Sequence, residues 1–555
     1  NSSDTTPPAP IDDLSAGTGT VLGTVDVSWT APGDDDDSGT AATYAVRYAD
    51  SEITTLLAWE SATNVEGEPT PQPAGSAESM TVSGLTPGET YYFAIRSQDE
   101  AGNWSGLSNS PSAAAGEGPA WAIMFYLDGD NNLDDNYVAA FNQIEAAVDN
   151  SNVSALVAWD RRASGNSAYY KVQHDTDIAE MDPASDYTDG VNRWPQNEIR
   201  MNDATTLSDF IQWARTNYVA QHYALVISDH GDGLGGLALD NGSGGDWLKV
   251  KEWSAALATA TSDGANKIDV VFADACLMAM IEDAYQIRHY ADYYVASQNL
   301  SWVVADARFG PYDDYLSSIG QATSPRDLAN ALVNRYSDWL DADYPSVGYT
   351  MSAVDLAHVD DVVYAINLLA SELNSQMSVY SHQISQARDN AQKFDSVQNY
   401  VLNAADRYVD LHDFADEING LISDPVIKGT AEDVMDAVEE YVVTDTNEDG
   451  LLESGGSIQT LGESHGVSVY FPDKASSFYN GSKYDFAVGA AWSSAQSLSV
   501  EAQSNEVDWG PMLVAYFNET QPDGPDISEP PSPVAPGVPS FSVYLPLVLR
   551  VNFRP

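Results

Sequence analysis

Two short runs, YALVIS at Tyr223–Ser228 and IDVVFA at Ile268–Ala273, are apolar almost without interruption. A strand with one face in water alternates, so a near-continuous apolar run reads as a strand covered on both faces, which calls for helices above and below a mainly parallel sheet. From Trp121 onward such runs alternate with stretches of helical spacing, the order expected of an α/β domain. The candidate strands are Trp121–Leu127, Ala155–Trp159, Tyr223–Ser228, Ile268–Ala273 and Tyr293–Ser297, with Val347–Ala353 and Val467–Phe471 later. Leu207–Ala214 and Lys251–Ala260 carry apolar residues at helical spacing, and residues 355–443 read as one long helical stretch.

What these strands deliver at their carboxyl ends is informative. The first run leads into Asp229-His230-Gly231 and a glycine-rich loop, and the second into Asp274-Ala275-Cys276, 46 positions after the histidine. Ligands of open parallel sheets bind at such strand ends. Cys276 is the only cysteine, so it is either an inert core filler or a reagent. Leu277 onward reads as a helix, which would put the sulfur at a helix amino terminus and favour the thiolate. His230 stands where a general base would be held, and the amides of Gly231 and Cys276 are candidates for an oxyanion site. Asp274 follows apolar residues, so it needs either an internal salt bridge or a polar pocket that a ligand completes.

Charge excludes some partners. With 83 acidic against 23 basic residues the formal charge is −60. Nucleic acid and anionic membrane surfaces are therefore disfavoured, while cations and basic polypeptides are attracted. No apolar run reaches the 18 or more residues of a spanning helix. The chain starts without a basic and apolar leader, as a processed product does, and the lack of disulfides leaves the compartment open.

Residues 1–116 read as a separate all-β module. VDVSWT, YAVRY and YYFAIRS are strand-like and are divided by turn signals. GLTPGETYYFAIRSQDEAGNWS resembles the fibronectin type III domain, with Leu85, Pro87 and Tyr91 in its tyrosine-corner pattern and Trp29 as its core tryptophan. The Asp34–Asp37 run reads as a solvated loop in preference to a calcium site. Residues 519–540 form a proline-rich linker, and 541–555 an apolar tail that is either a docked strand or a sorting and attachment segment.

Four segments, WAIMFYLDGDNNLDD, VISDHGDGLGG, VVFADACLMAMIEDAY and FGPYDDYL, together resemble clostripain-like cysteine peptidases of the caspase, legumain and gingipain clan. The resemblance covers residues 119–518 and implies a caspase-like αβα sandwich with a mostly parallel sheet. It also implies a dyad of His230 and Cys276, Asp274 as the acidic residue binding a P1 Arg or Lys, and cleavage between the dyad residues, where Lys249 and Lys251 lie. The family carries an acidic residue where Gln298 stands, so the substrate wall there departs from the pattern. No cofactor is needed for such chemistry. Calcium dependence occurs in the family, and Asp445, Asn447 and Asp449 match positions 1, 3 and 5 of a calcium loop, with Gly450 at 6 and Glu453 at 9. Position 12 is Gly456, so a partial calcium site competes with a plain acidic turn. Asp128, Asp130 and Asn131 are a second candidate for structuring the cleft or holding a cation.

The expectation is a secreted or cell-surface cysteine endopeptidase acting on proteins or peptides after basic residues. The rival is a latent or non-catalytic surface or assembly protein that keeps the peptidase fold.

Overall fold

A computed structural model describes residues 4–148, 152–162, 167–174, 199–242, 244–303, 311–451, 458–474, 509–521 and 547–548. The chain divides into two compact units, Asn1–Ala120 with Tyr218–Gln221, and Trp121–Asn217 with His222–Pro555. In the first unit, β1 (Ser15–Thr18), β2 (Val25–Thr30) and β5 (Ala77–Val82) form one sheet. A second sheet orders β4 (Thr63–Asn64), β3 (Thr43–Ala49), β6 (Thr90–Gln98) and β7 (Ser112–Ala114), with the short helix α1 (Leu56–Ser61) between β3 and β4 in sequence. Strict alternation along β2 turns Val25, Val27 and Trp29 inward, where they meet Tyr44, Val46, Phe93 and Ile95. The Tyr91 hydroxyl accepts from the Thr86 amide at 3.2 Å, the tyrosine-corner bond. Asp35, Asp36 and Asp37 are exposed.

The second unit is built on an eight-stranded sheet. Its strands are β8 (Trp121–Gly129), β9 (Val153–Arg161), β10 (Ala168–Lys171), β11 (His222–Ser228), β14 (Ile268–Asp274), β15 (Ala291–Ala296), β17 (Tyr349–Asp355) and β20 (Val442–Glu448). They lie in the order β10-β9-β8-β11-β14-β15-β17-β20. The five strands from β9 to β15 are parallel to their neighbours, and β10, β17 and β20 pair antiparallel at the margins. The uniformly apolar runs are the central strands: every residue of β8 is buried, and β14 buries Val270, Val271 and Phe272 completely. Each such side chain contributes about 1.5–3 kcal/mol relative to exposure. Helices α2 (Asp134–Ala147), α3 (Ala204–Asn217) and α4 (Val250–Ala260) provide the crossovers. A small hairpin of β12 (Leu237–Asp240) and β13 (Asp246–Leu248) follows the histidine loop.

Three expectations need correction. Residues 355–443 are not one helical stretch: α8 (Val359–Ser375), α9 (Met377–Asn390), α10 (Leu411–Leu421) and α11 (Pro425–Tyr441) are interrupted by the strands Lys393–Phe394 and Tyr408–Asp410. No helix begins at Leu277, whose φ of 67° is incompatible with a right-handed turn; α5 starts at Ile281 and ends at Ile287. Asp445 and Asn447 lie in extended β20, opposite Ser352 and Thr350 of β17, so the segment forms an edge ladder instead of a calcium loop. Asp449 accepts from the Leu461 amide at 2.6 Å, and Glu453 lies outside the described residues. Leu547–Val548 of the tail pairs in parallel with Trp302–Val303; the rest of the tail and residues 522–540 lie outside the described residues.

Candidate active site

β11 and β14 are adjacent and parallel, with Ser228 opposite Asp274. His230 and Cys276 each follow the end of these paired strands by two residues. The loop after the histidine packs directly on the cysteine backbone: a Cβ added to Gly231 would stand 2.2 Å from the Cys276 carbonyl oxygen and 3.0 Å from its nitrogen. Only glycine permits that approach.

His230 is buried, and its Nε2 lies 3.0 Å from Oδ1 of Asn132. An amide oxygen only accepts, so Nε2 carries the proton and Nδ1 is left bare as the basic atom. Burial pulls the imidazole pKa down to about 3. Cys276 is buried too, and the Ser301 amide donates to its sulfur at 3.2 Å. Burial pushes the thiol up to about 12, with the Ser301 amide opposing the shift. The expected helix terminus beside the sulfur is missing because the chain turns at Leu277 and is held by other partners: the Leu277 and Ala279 amides donate to the Asn299 and Ser297 carbonyls, each at 2.9 Å. No hydrogen bond between His230 and Cys276 occurs among the described contacts. The resting pair is therefore neutral thiol and neutral imidazole.

Asp274 ends β14 and is buried. Its Oδ2 accepts from the Tyr312 hydroxyl at 2.5 Å and the Ser228 hydroxyl at 3.1 Å, and the Ser228 oxygen also meets Tyr137 and Tyr312. Burial raises its carboxyl to about 6, while the two hydroxyls hold it back. Its described partners are hydroxyls, not an internal cation. Gln298 is not an open wall: it donates to Asp410 and Ser468 and accepts from the Gly466 amide, which ties it into the core. Asn131 donates to Asp229 at 2.7 Å, bracing the residue before the histidine, and Asp128 and Asp130 are buried beside it. Asp130, Asp160 and Asp240 are the described residues grouped closely enough to hold a metal ion. Lys249 precedes α4, with its amide held by Glu252, and Lys251 is exposed in the first turn.

Reading the sequence missed Asn132, Ser301 and Ser228 as site residues. Asn132 lies within YLDGDNNLDD but carries no local mark of a role, because its partner is 98 positions away. Tyr312 sat inside the quoted FGPYDDYL without a role.

The sequence pattern described as the Clostripain family matches residues 125–509, and that of the fibronectin type III domain residues 9–111. Clostripain of Hathewaya histolytica is 28% identical over 218 residues, covering 32% of this chain and 39% of the relative, well under two thirds of its length. A solved secreted C11 cysteine protease from Bacteroides thetaiotaomicron, in complex with an irreversible peptide inhibitor, is 17% identical. It covers 71% of this chain and 99% of its own with a TM-score of 0.50, a likeness of fold. An inactive zymogen C11 protease from Parabacteroides distasonis is also 17% identical, over 64% of this chain and 93% of its own, with a TM-score of 0.46.

Proposed function

The chain belongs to the clostripain family, and on that premise we propose that it is a secreted cysteine endopeptidase cleaving after Arg or Lys, with Cys276 as nucleophile and His230 as proton carrier. The observation that supports the reading is the parallel pairing of β11 with β14, whose following loops pack Gly231 against the backbone of Cys276, the only thiol of the chain. In the reaction the sulfur attacks the scissile carbonyl carbon as its proton passes to Nδ1 of His230. The oxyanion is received by the amides of Gly231 and Cys276, each such donor being worth about 10²–10³ in rate. The imidazolium returns its proton to the leaving amine, giving a thioester. Water then attacks the thioester while His230 takes its proton, and the carboxylic acid leaves as the thiol regains a proton. Asn132 keeps the ring turned with Nδ1 available throughout. No cofactor takes part.

Asp274 supports the choice of a basic P1 residue. A guanidinium or ammonium entering its pocket would meet a desolvated carboxylate, whose charge is worth far more there than in water. Low basic content, 23 Lys and Arg in 555 residues, leaves few such sites in the chain itself. Secretion is supported by the acidic surface, and among the described residues no helix is long and apolar enough to cross a membrane.

A latent resting form is favoured by one observation. Both groups are buried, and loss of water disfavours the thiolate and the imidazolium alike, which opposes a resting ion pair. The pair becomes competent only when substrate or cleavage of the chain opens the site and changes its solvation. Hydrolysis of Arg- and Lys-terminated fluorogenic peptides, before and after limited proteolysis, tests both readings. Turnover should be abolished by Cys276→Ala, and turnover that survives this change would refute the assignment.

A further inference from the structure

The loops after β11 and β14 are tied together by a turn that neither strand supplies. Asp395 follows the short strand Lys393–Phe394 and cups the turn Asp395–Tyr400 with its carboxylate, which accepts from the Asn399 and Tyr400 amides. The Gln398 amide closes the turn on the Asp395 carbonyl at 3.1 Å. On the cysteine side, the Asp395 amide donates to Oδ1 of Asn299 at 3.0 Å, and the Asn299 carbonyl receives the amide of Leu277, the residue after Cys276. On the histidine side, Nε2 of Gln398 donates to the Gly231 carbonyl at 3.3 Å, from 167 positions away. A carbonyl only accepts, so the side-chain nitrogen is the atom that faces it. Farther along, Arg407 meets the Asp232 carboxylate at 3.2 Å and the Tyr408 hydroxyl donates to the Asp232 carbonyl at 2.7 Å. The His230 loop is thus clasped from this side over two consecutive residues.

Two further features bear on this contact. Gln398 has a φ of 52°, in the left-handed region that favours glycine, and such strain persists where the surroundings over-determine it. Gly231 is buried, and no described hydrogen bond uses its amide, which leaves that N–H for an incoming acceptor. Glycine is the backbone position least constrained by itself, so the direction of this amide depends on what grips the residue from outside. We propose that Gln398 is a positioning residue of the peptidase reaction: by holding the Gly231 carbonyl it aims the Gly231 amide at the developing oxyanion, while Asn299 locks the same turn to the cysteine loop. The proposal rests on the peptidase reading and adds to it a residue, remote in sequence, that sets the geometry of the oxyanion donor.

The test uses the full chain. Gln398→Ala should lower kcat on Arg-terminated fluorogenic peptides about 10–100-fold, less than outright loss of an oxyanion donor, with KM held within about twofold. Inhibition by an arginine aldehyde, whose thiol adduct carries the oxyanion, should weaken by the same factor, whereas inhibition by benzamidine, which offers only a cation to a basic-residue pocket, should stay within about twofold. A merely structural lesion would weaken both inhibitors. If Gln398→Ala does not fold, Gln398→Glu serves: its carboxylate cannot donate and its carboxylic acid can, so the ratio of variant to parent kcat/KM should rise as pH falls from about 7.5 to about 5. An arm independent of turnover is amide hydrogen exchange in the Cys276→Ala chain, where the added Gln398 change should speed exchange across Asp229–Gly236 about tenfold or more. An undiminished kcat, equal weakening of the two inhibitors, or unaltered exchange overturns the proposal. Absence of turnover in the parent chain, or its survival in Cys276→Ala, sinks the peptidase reading and this proposal with it, a failure told apart from the others by the exchange result.

Discussion

Replacing Asp274 by Asn should make the chain more stable at neutral pH relative to acid, while weakening its action on basic substrates. The buried carboxyl keeps its proton up to a pKa of about 6, against 3.8 for the ordinary group. The unfolded chain therefore releases this proton first, and folding loses stability as pH rises from 3.8 to 6, the loss being complete above that window. A rise of this size corresponds to about 3 kcal/mol, most of which develops between pH 4 and pH 7.5. The amide keeps an oxygen for the Tyr312 and Ser228 hydroxyls, and its new NH2 group adds a term that does not change with pH. The measurement is urea unfolding of the Cys276→Ala protein with and without Asp274→Asn at both pH values. The stability difference should move in favour of Asn by about 2 kcal/mol or more on going from pH 4 to pH 7.5. A pH-independent difference would show that Asp274 is not a desolvated, ionisable group and would remove the physical basis of the pocket. In the active protein, Asp274→Asn should also erase the preference for Arg and Lys over uncharged P1 residues.

Asn132→Ala should lower kcat about 10–100-fold while KM stays within about twofold, because the His230 tautomer loses its anchor; an unchanged pH profile and kcat would dismiss Asn132 as a positioning residue. Gly231→Ala would drive a methyl to 2.2 Å from the Cys276 carbonyl oxygen, so a loss of about 1–3 kcal/mol in urea unfolding is expected, and an unaltered midpoint would contradict the close packing. Tyr312→Phe removes the 2.5 Å bond that holds Asp274 down. The acid limb of kcat/KM for Arg peptides should then move up by about one pH unit, and an unmoved limb would separate Tyr312 from the pocket.

Much of this site was legible in the chain because its signals are local. Short near-continuous apolar runs rich in β-branched residues read as strands covered on both faces, and the residues that follow them are placed at strand ends by connectivity. His230 and Cys276 are singled out as candidates in that way, whereas the pocket role of Asp274 comes from the family resemblance. The fibronectin-like unit was equally visible, since its alternation and its Tyr91 corner depend on residues close in sequence. Wherever position is set by a distant partner, the sequence was silent or misleading. Leu277 follows a strand and precedes an apolar stretch, which reads as a helix start, yet its φ is positive and its amide donates to the distant Asn299 carbonyl instead. Asp445 to Asp449 spaces its oxygens like a calcium loop, but pairing with β17 draws Asp445 to Glu448 into the sheet. The Asn132 anchor, the Ser301 amide on the sulfur and the Tyr312 cap on Asp274 come from residues 98, 25 and 38 positions away from their partners. Local periodicity thus settled which segments become strands and what they carry. Strand order and chain crossing settled what each buried group touches, and so its charge state, because desolvation and hydrogen bonding are fixed only when the sheet closes around it.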